Sequence, residues 1–129
     1  MNTALELHDT RLEEIILEGG RAILCLSSAL VHQSEGLPGI DNGTCWLQKI
    51  NILIEEAKLI KRPDDIPSGI DCGYFVINGK KYINMIDLPI NESGEIEFVA
   101  ETMYGNELHL IGKKISSEEI GELVFLEKF

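Results

Sequence analysis

Short runs in which apolar and polar residues alternate, separated by glycine-containing turns, recur along the whole chain. Alternation with a period of two is typical of β-strands that bury one face. Three dipeptides between such runs have the composition of tight hairpin turns, because glycine and asparagine tolerate the positive φ angles that these turns require. They are Gly19-Gly20, Asn78-Gly79 and Gly105-Asn106.

Two further segments complete the predicted set of strands. CWLQKINILIEEAKLI, residues 45–60, follows the first hairpin, and LVFLEKF, residues 123–129, ends the chain. The pattern predicts an all-β fold of about eight mainly antiparallel strands in hairpins, which form a sandwich or a flattened barrel. No repeat or interdomain linker interrupts this pattern, so residues 1–129 are predicted to form a single all-β domain.

Residues 9–18, DTRLEEIILE, also fit a helix. Asp9 or Thr10 would be its N-cap, and the apolar residues from Leu12 to Ile16 have helical spacing. The glycine pair that follows, and the similar apolar run after it, favour a strand in a hairpin instead. We therefore expect a strand here.

The composition is that of an ordinary globular domain. The 129 residues are 44% hydrophobic and 26% charged. No apolar run approaches the roughly 20 residues of a membrane-spanning helix. The N-terminus, MNTALELHDTRLEE, lacks the basic segment followed by an apolar one that marks a secretory signal. We therefore expect a cytoplasmic protein.

The acidic residues change the expected partners. The formal net charge is −11, and an acidic surface repels phosphates, so we expect neither nucleic acid nor an anionic membrane as partner. The simplest interpretation of the charge is that it keeps the protein soluble, and the more specific interpretation is a surface that binds a basic protein partner. The acids cluster at Glu13–Glu18, Glu55–Glu56, Glu92–Glu97 and Glu118–Glu122.

Three cysteines, Cys25, Cys45 and Cys72, indicate reduced thiols. Their number is odd and no pair has the spacing of a zinc motif, so the sequence predicts neither a disulfide framework nor a metal site, and no cofactor. Cys25 lies in an apolar run and has the pattern of a small buried residue. The sequence neighbours of Cys45 are acidic or neutral and lack the base that activates a nucleophilic thiol, so we do not expect a nucleophile there.

The open end of the first hairpin collects candidate polar residues. Extending the register of a two-residue glycine turn along both strands pairs Leu7 with His32. Asp9 and His32 would then be diagonal neighbours on one face, about 7–8 Å apart at the backbone. His8 would point to the opposite face, and a single bulge would bring it to His32 instead.

A long loop, from Gln33 to Thr44, is predicted within VHQSEGLPGIDNGTCW, residues 31–46. Its glycines and proline are typical of turns that give a loop a fixed shape, and loops of this length in compact domains are often functional. The loop region adds the remaining candidate site residues, which are Ser34, Glu35, Asp41 and Trp46.

Each candidate also has a purely structural interpretation. An Asp–His pair beside a hydroxyl is an acid–base constellation, but Asp9 equally fits a residue that fixes a turn by bonding backbone amides. His32 equally fits a polar residue at a strand end. Trp46 fits either a core residue or a contact for a partner.

Four short segments together resemble a known group of proteins. They are LELHDTRLEEI, VHQSEGLPGIDNGTCW, LPINESGEIEF and the final LEKF. The chain resembles a group of small, functionally uncharacterised bacterial proteins that begin with a His-Asp-Ser/Thr segment. The resemblance implies a stand-alone all-β domain in a bacterial cytoplasm and assigns no catalytic residue. Some small acidic proteins of this kind resemble immunity proteins that neutralise toxins.

Three functional hypotheses follow. The first is a non-catalytic interaction module, similar to an immunity protein, that binds through its acidic surface or the long loop. The second is a carrier of a small ligand, because a closed barrel of this length can enclose an apolar molecule. The third is a hydrolase or isomerase that uses Asp9 and His32 with Ser34 or Glu35. The negative charge and the incomplete catalytic set favour the first.

A homodimer is also expected. AILCLSSALV, residues 22–31, is apolar on both faces, which indicates a strand that is covered on both sides. Dimerisation through a sheet face or edge would provide that cover.

Overall fold

The computed structural model describes residues 1–128, which contain ten β-strands and no helix. The strands are β1 (Asn2–Glu18), β2 (Arg21–Ser34), β3 (Gly43–Glu55), β4 (Lys58–Lys61), β5 (Ser68–Ile77), β6 (Lys80–Ile83), β7 (Met85–Asp87), β8 (Asn91–Thr102), β9 (Glu107–Glu119) and β10 (Val124–Lys128). The predicted all-β class is confirmed. Residues 9–18 lie in β1, so the helical alternative is wrong. Nothing helical in the described part of the chain has the length and apolar character needed to cross a bilayer.

Six strands close into a barrel with antiparallel pairing throughout. Around the barrel, β1 pairs with β2, β2 with β3, β3 with β9, β9 with β8, β8 with β5, and β5 again with β1. The other four strands extend this barrel, with β4 on β9, β6 on β5, β7 on β1 and β10 on β3. The sequence left a sandwich and a flattened barrel open, and the closed pairing is that of a barrel.

The structure has more strands than the eight expected because two of the expected strands are interrupted. Glu56 and Asn84 have φ angles of 48° and 64°, which lie outside the β region. Glu56 separates β3 from β4, and Asn84 separates β6 from β7. Alternation of apolar and polar residues carries no sign of such a backbone angle at a non-glycine residue, so the sequence predicted two continuous strands.

All three predicted hairpins are present. Gly19-Gly20 and Asn78-Gly79 form two-residue turns, and all four residues have positive φ angles. The third turn is wider than the predicted Gly105-Asn106 and spans residues 103–106. Thr102 closes it, because the Thr102 amide donates to the Asn106 carbonyl over 2.8 Å and the Asn106 amide donates to the Thr102 hydroxyl over 3.2 Å.

The interior of the barrel is filled by apolar side chains. Buried residues from all six barrel strands form one cluster, and its largest fully buried members include Leu5, Leu24, Ile52, Phe75 and Leu110. Phe75 stacks on Phe98 with 4.6 Å between ring centroids. Burial of each such side chain stabilises the fold by about 1.5–3 kcal/mol.

The register of the first hairpin changes along β1. Near the turn the pairing is as predicted, but at the open end Glu6 pairs with Leu30, where Asp9 was expected. Ala4, and not Leu7, therefore pairs with His32. The predicted register is wrong here because β1 contains an irregular segment between Glu6 and Arg11 that displaces the pairing by three residues.

Thr10 holds the irregular segment in place. Its buried hydroxyl donates a hydrogen bond to the Glu6 carbonyl over 2.6 Å and accepts one from the Leu30 amide over 3.1 Å. On the other side, the amide of Leu7 donates to the backbone carbonyl of Asn84 over 2.7 Å. The side chain of Thr10 thus replaces ladder partners that the displaced backbone cannot supply.

Thr10→Val tests this role, because valine keeps the shape of threonine without the hydroxyl. The Glu6 carbonyl and the Leu30 amide lose a partner, so the free energy of unfolding should fall by about 1–3 kcal/mol in a urea titration. Thr3→Val is the matched control on the same strand, since the Thr3 hydroxyl forms no hydrogen bond within residues 1–128. Equal stability of the two variants would contradict the role of Thr10.

Candidate functional site

His32 lies at the centre of a buried polar cluster. Its Nε2 is 2.7 Å from Oε1 of Glu6, and its Nδ1 is 3.2 Å from Sγ of Cys45. The side chains of His32 and Glu6 are 7% and 20% exposed, and Cys45 is 3% exposed. We refer to Glu6, His32 and Cys45 as the triad; it crosses the adjacent strands β1, β2 and β3.

Cross-strand pairing brings the triad together. His32 pairs with Ala4 on β1 and with Cys45 on β3, and directly paired residues share a face of the sheet. Glu6 lies two residues from Ala4, so it is on the same face and diagonal to His32.

The triad lies on the outer face of the barrel. The neighbouring residues in sequence, Leu5 and Val31, belong to the interior cluster, and Trp46 packs against it. Successive residues of a strand point to opposite faces. The triad therefore occupies a small polar site beneath the outer surface and takes no part in the apolar core.

The acid beside His32 is not the one that was predicted. Asp9 lies within the irregular segment of β1 with a φ angle of 68°, and its Oδ1 is 3.5 Å from Nε2 of His8. The expected diagonal pair of Asp9 and His32 is wrong because of the displaced register. His8 does not turn to His32 either, since its Nδ1 is 2.6 Å from the carbonyl oxygen of Asp71 on β5.

With Glu6 ionised and His32 neutral, only one direction is possible for the hydrogen bonds of the triad. An ionised carboxylate can only accept, so Nε2 of His32 carries the proton that points to Glu6. In the neutral imidazole Nδ1 is then an acceptor, and the Cys45 thiol donates to it. Burial, together with the carboxylates of Glu127 and Glu6, raises the pKa of the Cys45 thiol above its ordinary value. The resting sulfur therefore keeps its proton at neutral pH.

The predicted loop residues shape the loop itself. The buried Ser34 hydroxyl donates to the carbonyl of Asn42 over 2.8 Å and accepts from the amide of Gly36 over 3.0 Å. A carboxylate oxygen of Asp41 accepts from the amide of Leu37 over 2.7 Å. Glu35 is exposed. These contacts make the segment an ordered connection between β2 and β3.

The loop also approaches His32. A Cβ atom at Gly39 would be 2.8 Å from Cε of Met85 and 3.8 Å from Cγ of His32. Gly39 has a φ angle of 81°, so glycine meets both a conformational and a spatial requirement here. The backbone of the loop at Gly39 therefore lies next to the His32 imidazole.

Trp46 at the end of the loop is half-buried. Its indole Nε1–H donates to the Thr44 hydroxyl over 2.8 Å, and its ring packs edge-on against Phe125 of β10 with 5.3 Å between centroids. Trp46 thus fastens β10 to the barrel and points away from the triad.

A pocket of about 560 Å³ reaches the triad from the outer surface. It is lined by strands β1, β2, β3 and β10, and we call it the outer pocket. Asp9 borders it together with His32, although the two side chains are bonded to different partners. The full lining is Glu6, Asp9, Ser28, Leu30, His32, Cys45, Leu47, Leu126 and Glu127.

The triad is not arranged as a metal site. Glu6 and Cys45 contact different nitrogen atoms of the same imidazole, so the ring lies between them and they cannot share an ion. Among residues 1–128, no group of three or more His, Cys, Asp or Glu side chains could hold a metal ion.

Sequence reasoning missed two members of the triad. Glu6 was passed over because the displacement of β1 that brings it to His32 leaves no trace in the apolar pattern. The sequence neighbours of Cys45 give no sign of the imidazole beside it, because His32 comes from the paired strand β2. A hairpin register extended from β2 to β3 would have placed Cys45 opposite His32.

No protein-family model, curated protein or solved structure matches this chain.

His8 provides a test of the electrostatics at the open end of the hairpin. The hydrogen bond with the Asp71 carbonyl, and then the carboxylate of Asp9, raise the pKa of His8 above its ordinary value of 6.5. The imidazolium is favoured in the folded state, so its contribution to stability is complete below pH 6.5 and is lost as pH rises through the folded-state pKa. An NMR titration should give a His8 pKa above 6.5, and Asp9→Asn should lower it. Asp64→Asn is the control, and an equal effect of both substitutions would contradict the role of Asp9.

Gly39→Ala tests whether the loop covers the imidazole. Alanine must adopt a positive φ angle, at a cost of about 1–2 kcal/mol, and its methyl group must displace Met85 beside His32. Gly20→Ala is the matched control, because Gly20 has a φ angle of 77° but no atom within 4 Å of its Cβ position. Only Gly39→Ala should shift the NMR signals of the His32 ring. Unchanged His32 signals in Gly39→Ala would show that the loop lies elsewhere.

Proposed function

We propose that the protein is a non-catalytic interaction module that binds a basic polypeptide segment at the outer pocket. The observation that carries this proposal is the charge of the pocket. Glu6, Asp9 and Glu127 border it, and its described lining contains no lysine or arginine. The net charge of −11 adds a long-range attraction for the same kind of partner.

The walls of the pocket suit a lysine or arginine side chain in particular. Leu30, Leu47 and Leu126 provide apolar surface beside the carboxylates. Lysine and arginine bury their apolar stems while the charged group stays near polar or ionic partners. An inserted side chain would place its stem on the leucines and its cation at the carboxylate rim.

Strand β10 supports binding of an extended segment next to the pocket. Within residues 1–128 only β3 pairs with β10, so one edge of β10 lacks a strand partner. Val124, Phe125 and Leu126 are 62%, 53% and 49% exposed. An edge strand of this kind accepts an added strand through its backbone, while neighbouring pockets select side chains.

The filled interior favours this hypothesis over a carrier. Side chains from all six barrel strands pack together inside the barrel, so the space that a carried ligand would need is taken up by the core. The outer pocket, by contrast, is open to the surface and bordered by carboxylates.

The test uses a fluorescent decapeptide of alternating lysine and leucine, with fluorescence anisotropy as the readout. The double variant Asp9→Asn/Glu127→Gln removes two carboxylates from the pocket rim. Each exposed ion pair contributes about 0.2–1 kcal/mol, so the affinity should fall roughly twofold to thirtyfold. Binding of the unmodified protein should also weaken as salt is added.

The matched control removes the same charge elsewhere. Glu92 and Glu118 are exposed and do not line the pocket, so Glu92→Gln/Glu118→Gln changes the net charge equally. If both double variants lose the same affinity, the peptide senses only net charge and the proposed site is wrong. A peptide in which glutamate replaces lysine should not bind.

A further inference from the structure

The triad has properties that binding of a basic segment does not use. Cys45 and His32 are almost fully buried, yet both line the outer pocket and bond to each other. Burial of polar groups costs free energy that an apolar pair at the same positions would not require. A neutral thiol beside a buried imidazole, itself bonded to a carboxylate, is the arrangement of a nucleophile with its general base.

The order of atoms defines a path for a proton. The Cys45 thiol is hydrogen-bonded to Nδ1 of His32 over 3.2 Å, and Nε2 of the same ring is bonded to Glu6 over 2.7 Å. Transfer of the thiol proton to Nδ1 produces an imidazolium next to the Glu6 carboxylate, which stabilises it. The thiolate therefore forms only as the sulfur reacts.

The pocket limits which electrophile can reach the sulfur. The carboxylates of Asp9 and Glu127 repel anions at the rim, and the leucine walls accept small neutral molecules. The backbone of Cys45 is paired with His32 of β2 and Glu127 of β10, so it belongs to the sheet and is not arranged as an oxyanion site for an acyl transfer. The site is better suited to an electrophile whose leaving group is stabilised by protonation alone.

We propose that Cys45 is a site of oxidation by a small neutral hydroperoxide, with His32 as the acid–base group and Glu6 as the positioning residue. This proposal is independent of the binding function above. The thiol proton passes to Nδ1 of His32 while the sulfur attacks the terminal peroxide oxygen. An S–O bond forms, the O–O bond breaks, and Nδ1 returns the proton to the departing oxygen, which leaves as water or an alcohol. The sulfur is oxidised to a sulfenic acid and the peroxide is reduced.

The other two cysteines are internal controls. Cys72 is exposed and its thiol donates to the Glu101 carboxylate over 3.7 Å, while Cys25 is partly buried. Burial and nearby carboxylates raise the pKa of all three thiols. Exposure alone therefore predicts that Cys72 reacts first, whereas an adjacent base predicts Cys45.

The experiment treats the full chain with substoichiometric hydrogen peroxide and traps sulfenic acid with a cyclic 1,3-diketone. Peptide mass spectrometry then follows the labelling rate of each cysteine. We expect Cys45 to be labelled first, in spite of its burial. Faster labelling of Cys72 than of Cys45 would overturn the proposal, and this comparison needs no variant.

Substitutions then separate a reactive site from a structural hydrogen-bond network. His32→Asn should slow Cys45 labelling by about 100-fold or more, the usual range of a general acid–base group, with Cys72 labelling unchanged. Glu6→Gln should cause a smaller loss and alter the tautomer of His32 in ¹⁵N NMR spectra. A folded His32→Asn variant, verified by its amide NMR spectrum, that still oxidises Cys45 at the original rate would show that His32 is not the base.

Discussion

The hydroxyl of Thr10 determines which polar residues meet on the outside of this barrel. With its two hydrogen bonds it bridges β1 and β2 where the backbone ladder is interrupted. In a regular hairpin Leu7 would pair with His32, in place of the Ala4 that pairs with it in this structure. The displaced register instead brings Glu6 diagonally to the imidazole, so the acid–imidazole contact depends on a defect in the strand.

The parts of the fold that depend on neighbouring residues were predictable. Alternation and glycine turns identified the strands and three hairpins, because these signals are local. Closure of the barrel was not predictable. It requires the pairing of β3 with β9, which joins residues as distant in sequence as Ile54 and Ile115 and leaves no signal in the sequence around either strand. The breaks at Glu56 and Asn84 were not predictable either, because the alternation of apolar and polar residues does not report a positive φ angle at a non-glycine residue.

The candidate site was predicted in location but not in membership. His32 and the loop were selected, and the structure places both beside the outer pocket. Ser34 and Asp41 hold the loop together, whereas the sequence had indicated a fixed shape only through the glycines and the proline. The acid and the thiol were missed because their distance to His32 results from the registers of three strands. One unrecognised bulge in a strand changes the predicted pairing partner of every residue beyond it.

The outer pocket has walls of unequal stability. Three of its strands belong to the closed barrel, where each strand is paired on both sides. The fourth, β10, is short, is exposed at every described residue, and pairs with β3 alone within the described chain. A strand of this kind separates locally at a fraction of the free energy that unfolds the barrel. The backbone pairing of β10 with β3 and the packing of Trp46 against Phe125 together hold this strand on the barrel, so loosening either contact would uncover the wall of the pocket beside Cys45.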